Sequence, residues 1–255
     1  MSKRFLVRAG AIQGSQALLE GSEAHHLLHV MRLKEGDPVV LFDGTGLSYQ
    51  GIIGRTSSKK VWVSIQSKTQ DPPSGLKILL LCAAPRHGKM DAIVEKLTEL
   101  GVDAIGAILT ERTVPRWEAS QREARLKRWQ RISHEACKQS GGNTLPRLLG
   151  IFHFQEALAL RRPEAAGIFL SPRAEMPLVE ALPDPIRGDL FLLVGPEGGW
   201  SEKEEAIAKG SGWHPAALWD RTLKVDTACL AAVSIIQSKV ACLGRLERPT
   251  SSSGG

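Results

Sequence analysis

The chain has 255 residues, of which 42% are hydrophobic and 24% are charged, and its formal net charge is +6. This composition is typical of a globular protein with one large or two smaller domains, and we expect two. No run approaches the roughly 18 consecutive apolar residues of a membrane span, and no apolar signal core follows the N-terminus, so we expect a cytoplasmic protein without membrane contact. The basic charge favours a polyanionic partner only weakly.

The four cysteines are far apart and form no Cys-x-x-Cys pair, which argues against a zinc site or a disulfide framework. We expect all four to be buried and reduced: Cys82, Cys137, Cys229 and Cys242.

The first seventy residues consist of short β-prone runs separated by turn residues. These runs are Arg4 to Val7, Ala17 to Leu19, Val39 to Phe42, Ser48 to Ile53 and Val61 to Ile65. Their spacing predicts a small β-barrel domain over residues 1–70.

One helix interrupts this region, from Ser22 through Arg32. His25 and His29 are four residues apart, but the pattern lacks the glutamate of a His-Glu-x-x-His motif and has no evident third ligand, so we expect no metal. A partly exposed helix face is the simplest interpretation. Contacts of His25, His26 and Arg32 with RNA are the alternative if the rest of the chain handles RNA.

Residues 68–75 have the composition of a linker and mark a domain boundary. Beyond them, apolar runs alternate with helical patterns, which predicts an α/β domain over residues 71–246 with a parallel sheet covered on both faces. The predicted strands are 78–82, 104–109, 167–170, 190–194 and 216–218, and the predicted helices include 90–100 and a long apolar one from Ala228 to about Leu243. Residues 247–255 form a low-complexity tail that we expect to be flexible.

A basic segment between Arg116 and Lys138 carries seven Lys or Arg against three acidic residues. Ser120 to Glu123 has the pattern of a capping box, and apolar residues follow at helical spacing, so the segment predicts an amphipathic helix with a basic outer face. A solvated surface helix and a polyanion contact are both open interpretations.

The loop from Gly195 to Ser201 follows an apolar strand directly, and Ser201 to Glu204 forms a capping box that starts a helix. Loops at the carboxyl ends of strands are where open α/β sheets bind ligands, and glycines there allow close approach of the backbone. The fingerprints Gly-x-Gly-x-x-Gly and Gly-x-x-x-x-Gly-Lys-Ser/Thr are absent, and the loop carries a proline and a carboxylate. A nucleoside triphosphate is therefore not expected.

Several blocks of this sequence, in this order, resemble the RsmE family of SPOUT methyltransferases. The blocks are 25–32, 95–102, 110–112, 135–141, 195–201 and 218–228. The resemblance implies an N-terminal PUA-like RNA-binding β-barrel and an α/β domain whose C-terminal part forms a deep trefoil knot. It also implies a homodimer that transfers a methyl group from S-adenosylmethionine to N3 of a uridine in 16S ribosomal RNA of the small ribosomal subunit.

The resemblance assigns the cofactor to three walls. They comprise Leu170 and Ser171; Gly195, Pro196, Glu197 and Gly199; and Leu218 to Lys224, including Trp219, Leu223 and Lys224. Four positions depart from the family pattern: Trp219 replaces a glycine, Lys224 an arginine, Asp226 a glutamate, and Gly142 an arginine. Lysine keeps the charge of arginine but loses its bidentate fork.

Methylation at uracil N3 requires removal of a weakly acidic proton, an accessible base and an aligned methyl donor. Arg221 is the expected stabiliser of negative charge on the uracil oxygens. Glu197 or Asp226 is the expected proton acceptor. Glu197 has an alternative role in orienting its loop, and Asp226 in capping a helix that starts at Thr227.

The expected RNA contacts are His25, His26 and Arg32 in the first domain and Arg86, Arg112, Arg122, Arg125, Arg128 and Lys138 in the second. Two other functions stay open. A non-catalytic ribosome-assembly factor would retain the fold with Trp219 filling the cofactor pocket. A Rossmann-type oxidoreductase is weakened by the missing glycine fingerprint.

Overall fold

A computed structural model of the chain describes residues 3–85, 88–113, 117–218 and 220–246. The chain divides into two compact units, Met1–Pro73 with Arg131–Leu145, and Ser74–Gln130 with Pro146–Gly255. The sequence-based division had placed residues 131–145 in the second domain. Arg86, Trp219 and the tail 247–255 lie outside the described residues.

The first unit contains a six-stranded sheet in the order β1-β4-β5-β6-β3-β2. The β1 and β4 strands are parallel and the other pairs are antiparallel. The strands are β1 (Arg4–Leu6), β2 (Ile12–Gln13), β3 (Gln16–Glu20), β4 (Pro38–Phe42), β5 (Leu47–Thr56) and β6 (Lys60–Gln70). Alternate residues such as Ala17 and Leu19 are buried, which is the period-2 pattern of a sheet with one face on a core.

The predicted N-terminal helix forms, but it changes type along its length. Helix α1 (Gly21–His25) continues as a π-helical turn, His26–Val30, and Arg32 follows with a left-handed φ of 53°. Leu27 is fully buried, whereas His25 and His29 are exposed. Across the described residues, no three His, Cys, Asp or Glu side chains cluster as a metal site requires.

The second unit contains a sheet in which every neighbouring pair is parallel, which confirms the predicted α/β architecture. Its order is β12-β10-β11-β7-β8-β9. The strands are β7 (Leu76–Ala83), β8 (Ala104–Leu109), β9 (Arg147–His153), β10 (Ala166–Leu170), β11 (Gly188–Val194) and β12 (His214–Ala216). Because the strands are parallel, their carboxyl ends meet at one edge of the sheet, where such folds bind ligands.

Six further α-helices lie in the described residues: α2 (Met90–Glu99), α3 (Ala119–Ser140), α4 (Phe154–Ala159), α5 (Leu178–Ala181), α6 (Glu202–Gly210) and α7 (Val225–Leu246). The capping box of α6 is present as predicted, since the Ser201 hydroxyl accepts a hydrogen bond from the Glu204 N–H. The capping box expected at Ser120 is wrong, because α3 already begins at Ala119. Strand β9 and helices α4 and α5 were not predicted.

Helix α7 is the long apolar helix predicted from the sequence, and it begins at Val225. Its window Val225–Cys242 has a mean hydropathy of 1.4, enough by length and composition alone for a membrane span. The helix packs against α2, α5, β7 and β11, and Cys229, Ala232, Val233 and Ile236 are fully buried. These contacts are those of a helix that covers the sheet.

The cysteines differ from expectation at one position. Cys82, Cys137 and Cys229 are buried free thiols, but Cys242 is exposed. It lies beyond the part of α7 that packs on the sheet, so the apolar run alone did not reveal its exposure.

Candidate active site

A cavity of about 290 Å³ lies in the second unit at the carboxyl ends of β10 and β11. Its walls come from the end of β10, the loop after β11 and the segment between β12 and α7. Most of the predicted cofactor residues line it: Leu170, Ser171, Gly195, Pro196, Glu197, Gly199, Leu218 and Leu223. Three loops distant in sequence thus meet at one place.

Trp200 fixes the glycine loop from beneath. Its side chain is 2% exposed, its ring lies 5.3 Å from that of Phe154, and its Nε1 donates a hydrogen bond of 2.8 Å to the Leu170 carbonyl. A Cβ on Gly195 would lie 2.9 Å from Trp200 Cε2. Glycine at 195 is therefore required for the loop to lie on the indole, and the indole in turn joins two walls of the cavity.

The tip of the loop is held by two further hydrogen bonds. The Gly199 N–H donates to the Pro196 carbonyl at 2.8 Å, and Gly199 has a left-handed φ of 70° that favours glycine. Arg112 Nη1 donates to the Gly198 carbonyl at 2.5 Å. Arg112 was predicted as an RNA contact, but in the structure its guanidinium braces the loop and also lines the cavity.

Glu204 ties the end of the loop to the segment after β8. Its side chain is 3% exposed and accepts two backbone hydrogen bonds, 2.9 Å from the Ser201 N–H and 3.0 Å from the Glu111 N–H. The local capping pattern predicted the first of these bonds. The second joins residues 93 positions apart and has no local signal.

A polar cluster stiffens the wall after β10. The Ser171 hydroxyl donates to Glu205 Oε1 at 2.9 Å, and Arg173 Nη2 donates to the same oxygen at 3.1 Å. Arg173 Nη2 also lies 3.2 Å from the Trp200 carbonyl. Sequence reasoning identified Ser171 but missed Arg173 and Glu205, which also line the cavity.

Glu197 and Arg221 are the exposed charges of opposite sign that face the cavity from two different walls. Within the described part of the chain, neither side chain forms a hydrogen bond or an ion pair. The alternative role of Glu197, in orienting its loop, would require a hydrogen bond, and none is present among these residues. Both groups are free to interact with a ligand.

Asp226 and Lys224 lie outside the lining of the cavity. Asp226 Oδ2 accepts a hydrogen bond of 3.1 Å from Lys89 Nζ. Burial acts to raise the pKa of Asp226, but the Lys89 ammonium together with the backbone N–H groups of Thr227 and Asp226 outweighs it and holds the pKa below its ordinary value of 3.8. Asp226 is the second residue of α7 rather than its N-cap, since the helix begins at Val225.

The predicted RNA contacts differ widely in their exposure and in their pairing with other side chains. Lys138 is 7% exposed and forms ion pairs of 3.0 Å with Glu23 and 2.6 Å with Glu135, so the expectation that it contacts RNA is contradicted by its burial. The Arg125 guanidinium lies 4.3 Å from the centre of the Trp117 ring. Arg128 pairs with Asp91 on the exposed surface.

The other predicted RNA contacts are at or near the surface. His25 and Arg32 are exposed, and His26 is half-buried with its ring edge against Phe5. Arg122 is half-buried and donates a hydrogen bond of 3.0 Å from Nε to the Trp117 carbonyl.

The parallel sheet, the glycine loop and the cavity at its carboxyl edge define an α/β protein that binds a small ligand at this edge. A family described as an RNA methyltransferase domain matches residues 72–237, and one described as an RNA methyltransferase PUA domain matches residues 19–66. The chain belongs to the RsmE family, whose curated members are called ribosomal RNA small subunit methyltransferase E.

Relatives cover nearly the whole chain. A ribosomal RNA small subunit methyltransferase E from Neisseria gonorrhoeae, crystallised with bound S-adenosyl methionine, is 32% identical with a TM-score of 0.83 and covers 94% of this chain and 98% of that one. A putative methyltransferase from Legionella pneumophila in complex with S-adenosylmethionine is 27% identical with a TM-score of 0.81, over 94% and 98% of the two chains. The Bacillus subtilis relative is 28% identical over 226 residues, 86% of this chain and 88% of its own.

Proposed function

We propose that this protein transfers a methyl group from S-adenosylmethionine to N3 of a uridine in 16S ribosomal RNA. The observation that carries the proposal is the cavity built on Gly195 and Trp200 at the carboxyl edge of the sheet. Membership of the RsmE family supports the ribosomal RNA substrate, and the 32% identical relative supports the cofactor.

The residues present fit this cofactor. Leu170, Leu218 and Leu223 offer apolar contacts to an adenine ring, and the absence of a side chain at Gly195 leaves backbone groups within reach. S-adenosylmethionine, when bound, supplies an electrophilic methyl group on a positively charged sulfur. The Glu197 carboxylate complements such a charge and would repel a polyphosphate.

Glu197 and Arg221 carry the proposed chemistry. Arg221 stabilises the negative charge that develops on the uracil oxygens as N3 loses its proton. Glu197 accepts that proton, directly or through a water molecule. Their exposure on opposite walls and their freedom from other contacts among the described residues support these roles. Asp226 is the weaker base candidate, because its carboxylate is engaged by Lys89.

The RNA-binding part of the proposal rests on the first unit and on exposed basic residues. The PUA family match covers residues 19–66, and His25 and Arg32 are exposed there. The target uridine must be unpaired or extruded, since base pairing hides N3. We assign residues 1–70 to RNA binding and 71–246 to catalysis, in the cytoplasm, with 16S RNA or the small subunit as partner.

Homodimerisation and a trefoil knot in the C-terminal part complete the proposal. Ala228, Ala231 and Ile235 recur at helical spacing on α7 and are only half-buried, which leaves an apolar strip open to a second copy. Analytical ultracentrifugation tests this point. A dimer is expected, and a monomer at micromolar concentration would refute it.

The direct experiment incubates the purified protein with methyl-labelled S-adenosylmethionine and small ribosomal subunits or 16S RNA lacking the modification. Mass spectrometry of the digested RNA then locates the label, which we expect at N3 of one uridine. Label on a cytidine or a ribose hydroxyl would overturn the reaction. An absence of both cofactor binding and label would favour the non-catalytic assembly factor.

A further inference from the structure

A second cavity, of about 570 Å³, lies in the same unit and is separate from the first. It opens at the carboxyl ends of β8 and β9, beside the start of α6 and Arg122 of α3. The segment after β8 adjoins both cavities, because Arg112 lines the first while Thr110 and Thr113 line the second. Nothing in the proposed methyl-transfer chemistry uses this second cavity.

Two cations at this cavity are available to an anionic ligand. Lys203, in the first turn of α6, is exposed and has no ion-pair partner within the described residues. Arg122 uses only its Nε, which donates to the Trp117 carbonyl at 3.0 Å, so its two terminal nitrogens stay free of protein partners in the described part of the chain.

The two acidic residues of the lining, Glu204 and Glu111, differ in whether their carboxylates are already hydrogen-bonded. The Glu204 carboxylate is buried and occupied by the N–H groups of Ser201 and Glu111. The Glu111 side chain is exposed, and its carboxylate has no hydrogen-bond partner among the described residues, so it can accept hydrogen bonds from base amino groups. The cavity therefore offers cations for a phosphate and a separate acceptor for a base edge.

The remaining lining suits the flat face of a base. Leu109, Phe154 and Ile207 supply apolar surface, and the Gln155 amide supplies both a donor and an acceptor. This combination of apolar walls, a few hydrogen-bonding groups and unpaired cations matches a nucleotide within an unpaired RNA strand.

The position of the second cavity allows one RNA strand to reach both cavities. Both cavities open at the carboxyl edge of one sheet, in the order β10-β11-β7-β8-β9. Neighbouring strands lie about 4.8 Å apart, so the β10–β11 and β8–β9 pairs are centred roughly 14 Å apart along this edge. A short single-stranded segment of RNA spans that distance.

We propose that the second cavity is a subsite for a nucleotide close to the target uridine in the substrate RNA. Arg122 and Lys203 hold its phosphate, and the base lies against the apolar surface of Leu109 and Ile207. The inference rests on the proposed function, since the RNA strand must place its uridine in the first cavity. It adds a specificity site that reads the sequence context of the target.

Two single variants test the subsite, each with a matched control. Arg122→Gln and Lys203→Gln each remove one cation from the cavity. Arg147→Gln and Lys77→Gln remove the same charges from the amino ends of β9 and β7, at the opposite edge of the sheet. The probe is a fluorescein-labelled, unmethylated 16S RNA fragment that contains the target uridine. The affinity for S-adenosylmethionine is measured in parallel.

Loss of a charged hydrogen bond to phosphate should weaken RNA binding roughly tenfold in each cavity variant. The slope of log affinity against log salt should fall by about 0.7 for each lost contact. Cofactor affinity should stay unchanged, and the two controls should bind RNA like the wild type.

Equal weakening by the controls would show a diffuse electrostatic effect and overturn the subsite. So would unchanged RNA affinity in both cavity variants while the wild type methylates the fragment. If Arg122→Gln fails to fold because its bond to Trp117 is lost, Lys203→Gln carries the test alone. Inactivity of the wild type would instead defeat the proposed function, which keeps the two failures distinct.

Discussion

Two of the segments that line the first cavity are built in opposite ways. The loop 195–201 is fastened at nearly every residue, by the buried indole of Trp200, by Arg112 and by the Ser201–Glu204 cap. In the segment 220–224, the side chains of Arg221, Thr222 and Lys224 are exposed and form no hydrogen bond with the described residues. The contrast indicates that the backbone of the first loop holds the cofactor, whereas the exposed side chains of Arg221, on the second segment, and Glu197, on the first, supply the charges for the chemistry.

The largest expected effect is a loss of stability in the loop 195–201. Trp200→Ala should lower the free energy of unfolding by about 3–5 kcal/mol, because it removes a fully buried indole and the bond to the Leu170 carbonyl. Urea denaturation measures the loss. Trp62→Ala, at a half-buried indole of the first unit, should cost clearly less. Equal losses would mean that Trp200 has no special part in building the cavity.

In the segment 220–224, Arg221→Ala should leave stability within about 0.5 kcal/mol, because its exposed side chain forms no hydrogen bond or ion pair with the described residues. Turnover should fall by about a hundredfold, the usual effect of removing one group that stabilises developing negative charge. Steady-state kinetics measures kcat and KM separately. Lys224→Ala, a cation outside the cavity lining, is the matched control. A similar fall in that control would remove the distinction between the two side chains.

Gly195→Ala tests whether the close approach of the loop to Trp200 matters. The added methyl would lie 2.9 Å from the indole, so we expect a destabilisation of about 1–3 kcal/mol and weaker cofactor binding by calorimetry. Gly210→Ala, at the end of α6 with open space around its Cβ position, should be neutral or slightly stabilising. A wild-type cofactor affinity in Gly195→Ala would show that the loop is less tightly fixed than its contacts suggest.

The smallest effect concerns the ion pair that follows the segment 220–224. Asp226→Asn should cost less than about 1 kcal/mol at neutral pH, since Asp226 and Lys89 are each about a third exposed. The pKa of folded Asp226 is below its ordinary value of 3.8, so its stabilisation is present above that pH and is lost as the pH falls through the folded pKa. Urea denaturation of both proteins at pH 7 and pH 3 measures the difference. If the difference in unfolding free energy between the two proteins were larger at pH 3 than at pH 7, the Asp226–Lys89 ion pair could not be its cause.

The same contrast explains what could be predicted from the sequence. The glycine loop and its cap are local patterns, since Ser201 and Glu204 are three residues apart, and both were predicted correctly. The Arg112–Gly198 bond joins residues 86 positions apart, and the Lys138–Glu23 pair joins residues 115 apart, so no local periodicity signals either. Both side chains are basic and lie in blocks that resemble the family, and the sequence therefore predicts them as RNA contacts without revealing these bonds.

Local patterns also misled where tertiary packing decides. Ser120 to Glu123 has the spacing of a capping box, yet α3 extends past it to Ala119. Strand β9 was missed because Gly150 interrupts its short apolar run, at the point where its pairing with β8 shifts register. Charged side chains are therefore the least predictable part of the site, and the backbone of the glycine loop is the most predictable.

The most direct test of the division between the two loops measures cofactor affinity and single-turnover methyl transfer in the same two variants. Gly195→Ala is expected to raise the dissociation constant for S-adenosylmethionine while saturating cofactor restores most of the transfer rate. Arg221→Ala is expected to keep the wild-type dissociation constant while its rate at saturation stays about a hundredfold low. Parallel losses of affinity in both variants, with full rates at saturation, would contradict the division.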